Sequence, residues 1–332
     1  MKKKGKGGRF LPLLLLLGPF FGLWALFWLV PLGMGVDLSM QSPDFRPAHR
    51  EEAMPEQTVP TSSLSFLDWR SAPEEPATDA PRYVGLENFR KVMEDPKFHK
   101  ALGNTLVYVA GSIAVILPLA FFLAACLRGL PRLTRAGMVF CLMIPGLALP
   151  GVISTLFYLF FHGREGALNQ YLVIPLGFDP VNWMMDPSFI MPSLILQAVW
   201  RWTGLVTLFF LCGMEAIPRW QFEVARIEGA GPWTRLSRIL FPGVRHLAVF
   251  AGVFLVVDGF AAFSGAYNLL GGSGGILDSG LLLVTYVYQV AFPGGSGRFD
   301  FPGAAAMSLL VAPVTAFLLF LLLRARRALS AR

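Results

Sequence analysis

The chain has 332 residues, 55% of them hydrophobic, and a mean hydropathy of +0.57. These values point to an integral membrane protein, and the apolar runs are continuous rather than alternating, which argues against a closed β-barrel. The net charge of +7 is segregated by side of the membrane, so it reflects orientation and implies no nucleic-acid partner.

An apolar stretch needs about 20 residues to cross a bilayer. Six qualify in chain order: Phe10–Gly35, Thr105–Leu127, Ala136–Phe161, Ile190–Met214, Leu247–Tyr267 and Phe301–Leu323. Each contains Gly or Pro, which membrane helices tolerate better than soluble ones. The first run is longer than a signal-peptide core and lacks a small-x-small cleavage site, so it reads as a retained anchor. Cys126, Cys141 and Cys212 fall inside these runs and read as small packing residues, neither a disulfide nor a metal set. Lys and Arg fix the orientation. The start MKKKGKGGR, then Arg128, Arg132 and Arg135, then Arg219, Arg226, Arg235, Arg238 and Arg245, then Arg324, Arg326 and Arg327 all fall on one side of a six-span chain. That side is the cytoplasmic one, with both termini inside. Asp37, Asp44, Glu51, Glu52, Glu56, Glu74, Glu75 and Asp79 fall on the other.

The chain therefore divides into an N-terminal tail with the first span (1–36), an extracytoplasmic insert (37–82), a membrane core (83–324) and a short cytoplasmic tail (325–332). The insert is rich in Pro, Ser, Glu and Asp and has no periodicity, so it is expected to be largely irregular; contact with an extracytoplasmic protein is the other reading. Leu86, Phe89, Val92 and Met93 then recur at helical spacing, giving an amphipathic helix at the outer surface. Leu281–Phe292 is apolar but too short to span and is expected to be an outer-side or re-entrant segment.

The most informative segment is Glu223–Pro242, EVARIEGAGPWTRLSRILFP, a polar, basic run between two long apolar stretches. Glu223–Glu228 can form one short helix, with Ala225 and Ile227 apolar. Gly229 and Gly231 permit positive φ and a sharp turn. Pro232 suits the first position of a second helix, Trp233–Leu240. That helix places Trp233, Leu236 and Leu240 on one face before Pro242 ends it. The product is a helix–turn–helix knob that fits a partner's cleft; an amphipathic loop lying on anionic lipid is the plainer reading.

The spacing Glu-x-Ala, three residues, Gly, nine residues, Ile-x-Phe-Pro resembles the coupling loop of permease subunits in binding-protein-dependent ABC importers. Their pattern is Glu-Ala-Ala-x3-Gly-x9-Ile-x-Leu-Pro. Val224 and Phe241 depart from it but keep its apolar character. YVGLENFRKVMEDPKFHKALGNTL, HGREGALNQYL and VTYVYQVAFPGGSGRFDFPGAAAMSLL resemble further pieces of the carbohydrate-uptake (maltose and glycerol-phosphate) type, so the resemblance runs from Tyr83 to Leu323. It implies an all-α type I ABC importer permease fold of six transmembrane helices in a bacterial or archaeal cytoplasmic membrane. It implies as partners a second homologous permease subunit, an ABC ATPase dimer and a solute-binding protein. It assigns the ATPase contact to Glu223, Ala225, Gly229, Gly231, Ile239 and Pro242.

No Gly-x4-Gly-Lys-Ser/Thr occurs, and His49, His99, His162 and His246 are scattered without ligand spacing. The chain is thus expected to bind no cofactor and to catalyse nothing itself, ATP and Mg belonging to the partner ATPase. Ionisable residues inside spans are functional candidates by default. Arg201 and Asp258 are two, and their offsets from the loop fall on positions that line the substrate path in the maltose-permease type. The same offsets select Trp202, Leu205, Leu255, Gly259 and Ala262, although the family's residue types there are mostly not kept. Trp202 could stack on a sugar, and Asp258 could accept from hydroxyls. Alternatively Arg201 and Asp258 pair with each other, or with the partner permease, to avoid a bare buried charge. A secondary transporter would need internal repeats, and a membrane enzyme a nucleophile–base or metal constellation; neither is visible. An ABC permease for a non-sugar solute such as glycerol phosphate or a polyamine stays open.

Overall fold

A computed structural model describes residues 10–42, 83–292 and 299–330. Most of the insert, the basic start, residues 293–298 of the glycine-rich turn and the last two residues lie outside the described residues. The described chain is helical, with five helices long and apolar enough to cross a membrane, or six if one bent pair counts as a span.

Helix α1 (Phe10–Ser39) packs along α12 (Phe301–Ser330), and most of its residues from Leu17 on are exposed, as expected of a helix bathed in lipid. Its end is tied to the chain that resumes at Tyr83. Gln41 pairs with Tyr83 in an isolated β-bridge, and buried Asn88 donates to the carbonyls of Ser39 (2.8 Å) and Gln41 (2.7 Å). The Tyr83 hydroxyl donates to Asp37, whose carboxylate holds that exposed phenol above its ordinary pKa. Asn88 lies in the first turn of α2 (Glu87–Glu94), the expected amphipathic helix; Val92 is buried and Phe89 packs beside it, while Leu86 and Met93 stay exposed.

Two long helices begin on the same device. Asp95 caps α3 (Pro96–Arg128) by accepting from the Lys97 N–H at 2.9 Å, and Asp186 caps α6 (Pro187–Glu215) by accepting from Ser188 at 2.8 Å. In both, Pro fills the first helical position, where its missing N–H costs nothing. Helix α6 is the most enclosed span, with 56% of its apolar window buried, and α3 packs against it along most of its length. Two of its hydroxyls bond back into the helix, Thr207 to the Thr203 carbonyl (2.7 Å) and Ser193 to that of Phe189 (2.8 Å), which satisfies those donors away from water. At Gly204 an added Cβ would lie 1.7 Å from the Leu142 carbonyl oxygen, so only glycine permits the crossing there.

The expected third span, Ala136–Phe161, is not one helix. It splits into α4 (Arg132–Leu147) and α5 (Pro150–Phe160), bent by 97°. Ala148 and Leu149 are extended (ψ 147° and 135°), the conformation that Pro150 imposes on its predecessor. The expected fifth span, Leu247–Tyr267, is also displaced. Helix α9 (Phe241–Phe260) starts earlier and stops at Ala261, and residues 264–269 form the separate α10 (Ser264–Leu269). Helix α11 (Leu283–Ala291) has nine residues, too few to cross at ~1.5 Å each. Leu281, Leu282, Leu283 and Tyr286 are buried, so it re-enters among protein helices rather than lipid. Helix α12 continues to Ser330, past the boundary expected near 324.

Candidate functional site

Two regions gather the candidate residues. The first is the loop between α6 and α9. Helix α7 (Arg219–Ile227) starts four residues before the expected Glu223. It ends in a Schellman motif: the Ala230 N–H bonds to the Ala225 carbonyl (2.8 Å), the Gly229 N–H to that of Arg226 (3.1 Å), and Gly229 sits at φ +76°. Gly231 does not share that role. It is extended (φ −68°, ψ 170°) and precedes α8 (Pro232–Arg235). Pro242 does not end the second helix either. Residues Leu236–Leu240 form a π-turn that runs directly into α9, and Pro242 lies in the first turn of α9. The longer i→i−5 bonds accommodate a residue with no N–H to give.

The π-turn shifts the helical register, so the expected common face of Trp233, Leu236 and Leu240 breaks up. Leu240 is buried and Leu236 and Ile239 pack toward the same core, while Trp233 is 76% exposed. Ala225 is buried; Glu223, Gly229, Gly231 and Pro242 are exposed. The loop presents Ile227, 87% exposed, and Trp233 on its free side. It is fastened to the spans from below: the Arg128 guanidinium, at the end of α3, sits 4.0 Å from the centre of the Phe222 ring, and Arg135 of α4 pairs with Glu215 of α6.

The second region is a cavity of about 210 Å³ between the middle of α6 and the C-terminal end of α9. Arg201 and Trp202 from α6, Asp258 from α9 and Ala262 from the break after it all line it. Arg201 stacks 4.8 Å from the centre of the Trp202 ring, which in turn packs edge-on against Phe254 at 5.0 Å. Arg201 Nε is buried without a partner, and no Arg201–Asp258 ion pair forms among the described residues. The two side chains line the same cavity without a direct ion pair between them.

Three expected path residues are not in the wall. Leu255 is buried in the core below, and Leu205 is half-buried outside the lining. Gly259 packs on α3, where an added Cβ would come 2.7 Å from Val109 Cγ2. Conversely, the wall includes Tyr108, Gln197 and the Ser264–Gly265 backbone, none of them expected. Gln197 was the most findable: a polar residue inside an apolar run, one helical turn before Arg201.

Comparison with known proteins agrees with this architecture. Residues 111–332 match the family model described as the binding-protein-dependent transport system inner membrane component. The chain is 33% identical over 210 residues to the arabinooligosaccharides transport system permease protein AraP of Bacillus subtilis, covering 62% of this chain and 66% of that one. It is 28% identical over 249 residues to the lactose transport system permease protein LacF of Rhizobium radiobacter, covering 74% and 82%. A crystal structure of a bacterial ABC transporter for the acidic polysaccharide alginate contains a chain that superposes with a TM-score of 0.73, at 17% identity, over 97% of this chain and 96% of that one. The chain belongs to the family of binding-protein-dependent ABC importer permeases and has their type I fold.

Proposed function

We propose that the chain is the membrane permease subunit of an ATP-driven, binding-protein-dependent importer of a sugar or oligosaccharide. It forms half of the translocation pathway. Its 223–242 loop seats in a separate ATPase, which carries the ATP and Mg that this chain does not. The observation that carries this reading is the rigid loop itself, with exposed Ile227 and Trp233 on a backbone fixed by the Gly229 turn. Exposed apolar side chains on a charged loop call for a protein partner.

The sugar assignment rests on the relatives, named for arabinooligosaccharide and lactose transport, and on the cavity's chemistry. Trp202 offers a stacking face, Asp258 accepts from hydroxyls, and Gln197 and Arg201 donate. At about 210 Å³ the cavity is smaller than the ~300 Å³ at which ligand pockets usually begin, which suits half a site completed by a second permease. A solved alginate transporter was captured with an alginate pentasaccharide-bound periplasmic protein, and a chain of it superposes on this one with a TM-score of 0.70. That supports a solute-binding protein on the face opposite the loop. The unpartnered Arg201 Nε favours one second reading, an anionic solute such as a phosphorylated polyol.

Orientation in a bacterial or archaeal cytoplasmic membrane follows from the basic side, which carries the loop and both termini. In a chain whose native cysteines are replaced, Ser273→Cys at the end opposite the loop should react with an impermeant thiol reagent added outside. Thr234→Cys should react only after permeabilisation. The reverse pattern would overturn the topology and the ATPase contact together.

A further inference from the structure

Phe263 forms part of the cavity wall and also begins a string of aromatic rings leading away from it. Its ring lies 4.9 Å from Tyr267 and 5.0 Å from Tyr288, centre to centre. Tyr288 lies 4.9 Å from Phe292, and Phe292 5.6 Å from Phe301. The string crosses α10 and α11 and ends at the first residue of α12, on the side opposite the coupling loop. It is not sealed core. Phe292 and Phe301 are 44% and 40% exposed, and Tyr267 and Tyr288 are half-buried.

The two tyrosines differ from their neighbour. Tyr286, also on α11, is buried and its hydroxyl donates to Asp95. The hydroxyls of Tyr267 and Tyr288 have no protein partner among the described residues, and neither is sealed off as a buried unpartnered atom. Phenol hydroxyls left open in hydrocarbon would be costly. A row of rings with free hydroxyls between the membrane surface and a polar cavity therefore fits a path that carries polar solute.

We propose that this string is a stacking track that passes carbohydrate rings from the outer surface to the cavity; it rests on the sugar reading above. A sugar ring has an apolar C–H face and a hydroxylated edge. The aromatic faces take the first, and the tyrosine hydroxyls exchange hydrogen bonds with the second. Ring contacts of about 5 Å put each station beside the next, so a sugar moves between weak, similar sites without a strongly bound stop.

The test uses the complete importer, with its partner permease, ATPase and binding protein, in proteoliposomes supplied with a radiolabelled mixture of pentose and hexose oligosaccharides. Replacing both tyrosines by leucine (Tyr267→Leu with Tyr288→Leu) keeps bulk but removes the π faces, and should lower uptake about tenfold per assembled complex. Replacing both by phenylalanine keeps the rings and should hold uptake within about threefold of wild type. A leucine pair that transports at the wild-type rate, or a phenylalanine pair that loses as much as the leucine pair, overturns the track. If the leucine pair does not assemble, Phe301→Leu at the exposed end decides: uptake at low sugar should fall about threefold, and unchanged uptake overturns the proposal. Wild-type vesicles that accumulate no sugar at all overturn the sugar reading, and the track falls with it.

Discussion

The loop at 219–242 and the cavity both lie between α6 and α9 and are held in opposite ways. The loop is fixed by bonds between near neighbours: the turn at Gly229, the π-turn at Leu236–Leu240 and the buried Ala225 all lie within twenty residues. Its free side shows Ile227 and Trp233 among exposed charged residues such as Glu223 and Arg226, and Arg235 Nε is its one buried side-chain atom without a partner among the described residues. The cavity draws its walls from α3, α5, α6, α9 and α10, and what it leaves unsatisfied is polar, above all Arg201 Nε. One region shows apolar side chains on a locally fixed backbone; the other draws five helices around a polar space open to a ligand or a second subunit. A docking element needs rigidity, and a site that must release its solute needs groups not already spent on each other.

The comparison can be broken most severely at the helix crossing that positions both regions. Gly204→Leu drives a side chain into the Leu142 carbonyl on α4, 1.7 Å from where its Cβ must sit. Two packed backbones cannot yield that far, so the loss should be at least ~4 kcal/mol. The expected outcome on size-exclusion chromatography in detergent is no assembled complex. A monodisperse peak at the wild-type position would mean that α4 and α6 do not cross as described.

A sharper cut tests whether the cavity charges are free. A lone charge at the centre of a span costs at least ~2.5 kcal/mol on insertion scales; Arg201 sits there, and Asp258, in the last turn of α9, lines the same cavity. Without an ion pair between them, Asp258→Asn and Arg201→Gln should each lower uptake about tenfold while assembly persists. The double variant should do no better than either single. Assembly lost in the singles and restored in the double would instead mark them as a structural pair.

The smallest effect is expected where loop and spans meet. Arg128→Leu removes the cation over Phe222, an interaction of about 0.5–1 kcal/mol at an exposed site. Solute moved per ATP should fall only about two- to fivefold, roughly the factor that energy implies. No change would leave the buried face around Ala225 as the loop's main fastening.

Legibility in the sequence followed the same division. The loop's spacing, the turn at Gly229 and the apolar spans are local patterns, and they led to the family and the fold. The errors were local events with tertiary causes. The break before Pro150 hides inside a run whose composition reads as one span, and Pro242 reads as a stop because a π-turn leaves no mark in composition. Arg201 and Asp258 were conspicuous as charges among apolar residues. Tyr108, Ser264 and Gly265 were not, because only packing brings α3 and α10 to the same wall. Gly259 shows the same limit: only packing reveals that Val109 of α3 fills the space beside it.

The claim at the centre is that the loop transmits work and the cavity carries solute, and the number of solute molecules imported per ATP hydrolysed tests it most directly. Gly229→Pro removes a φ of +76° that proline cannot adopt and the N–H bonded to the Arg226 carbonyl; Glu223→Lys inverts an exposed charge on α7. In proteoliposomes each should leave the subunit in the membrane and lower that ratio at least about tenfold. A wild-type ratio in both variants, at wild-type levels of assembled complex, would contradict the account.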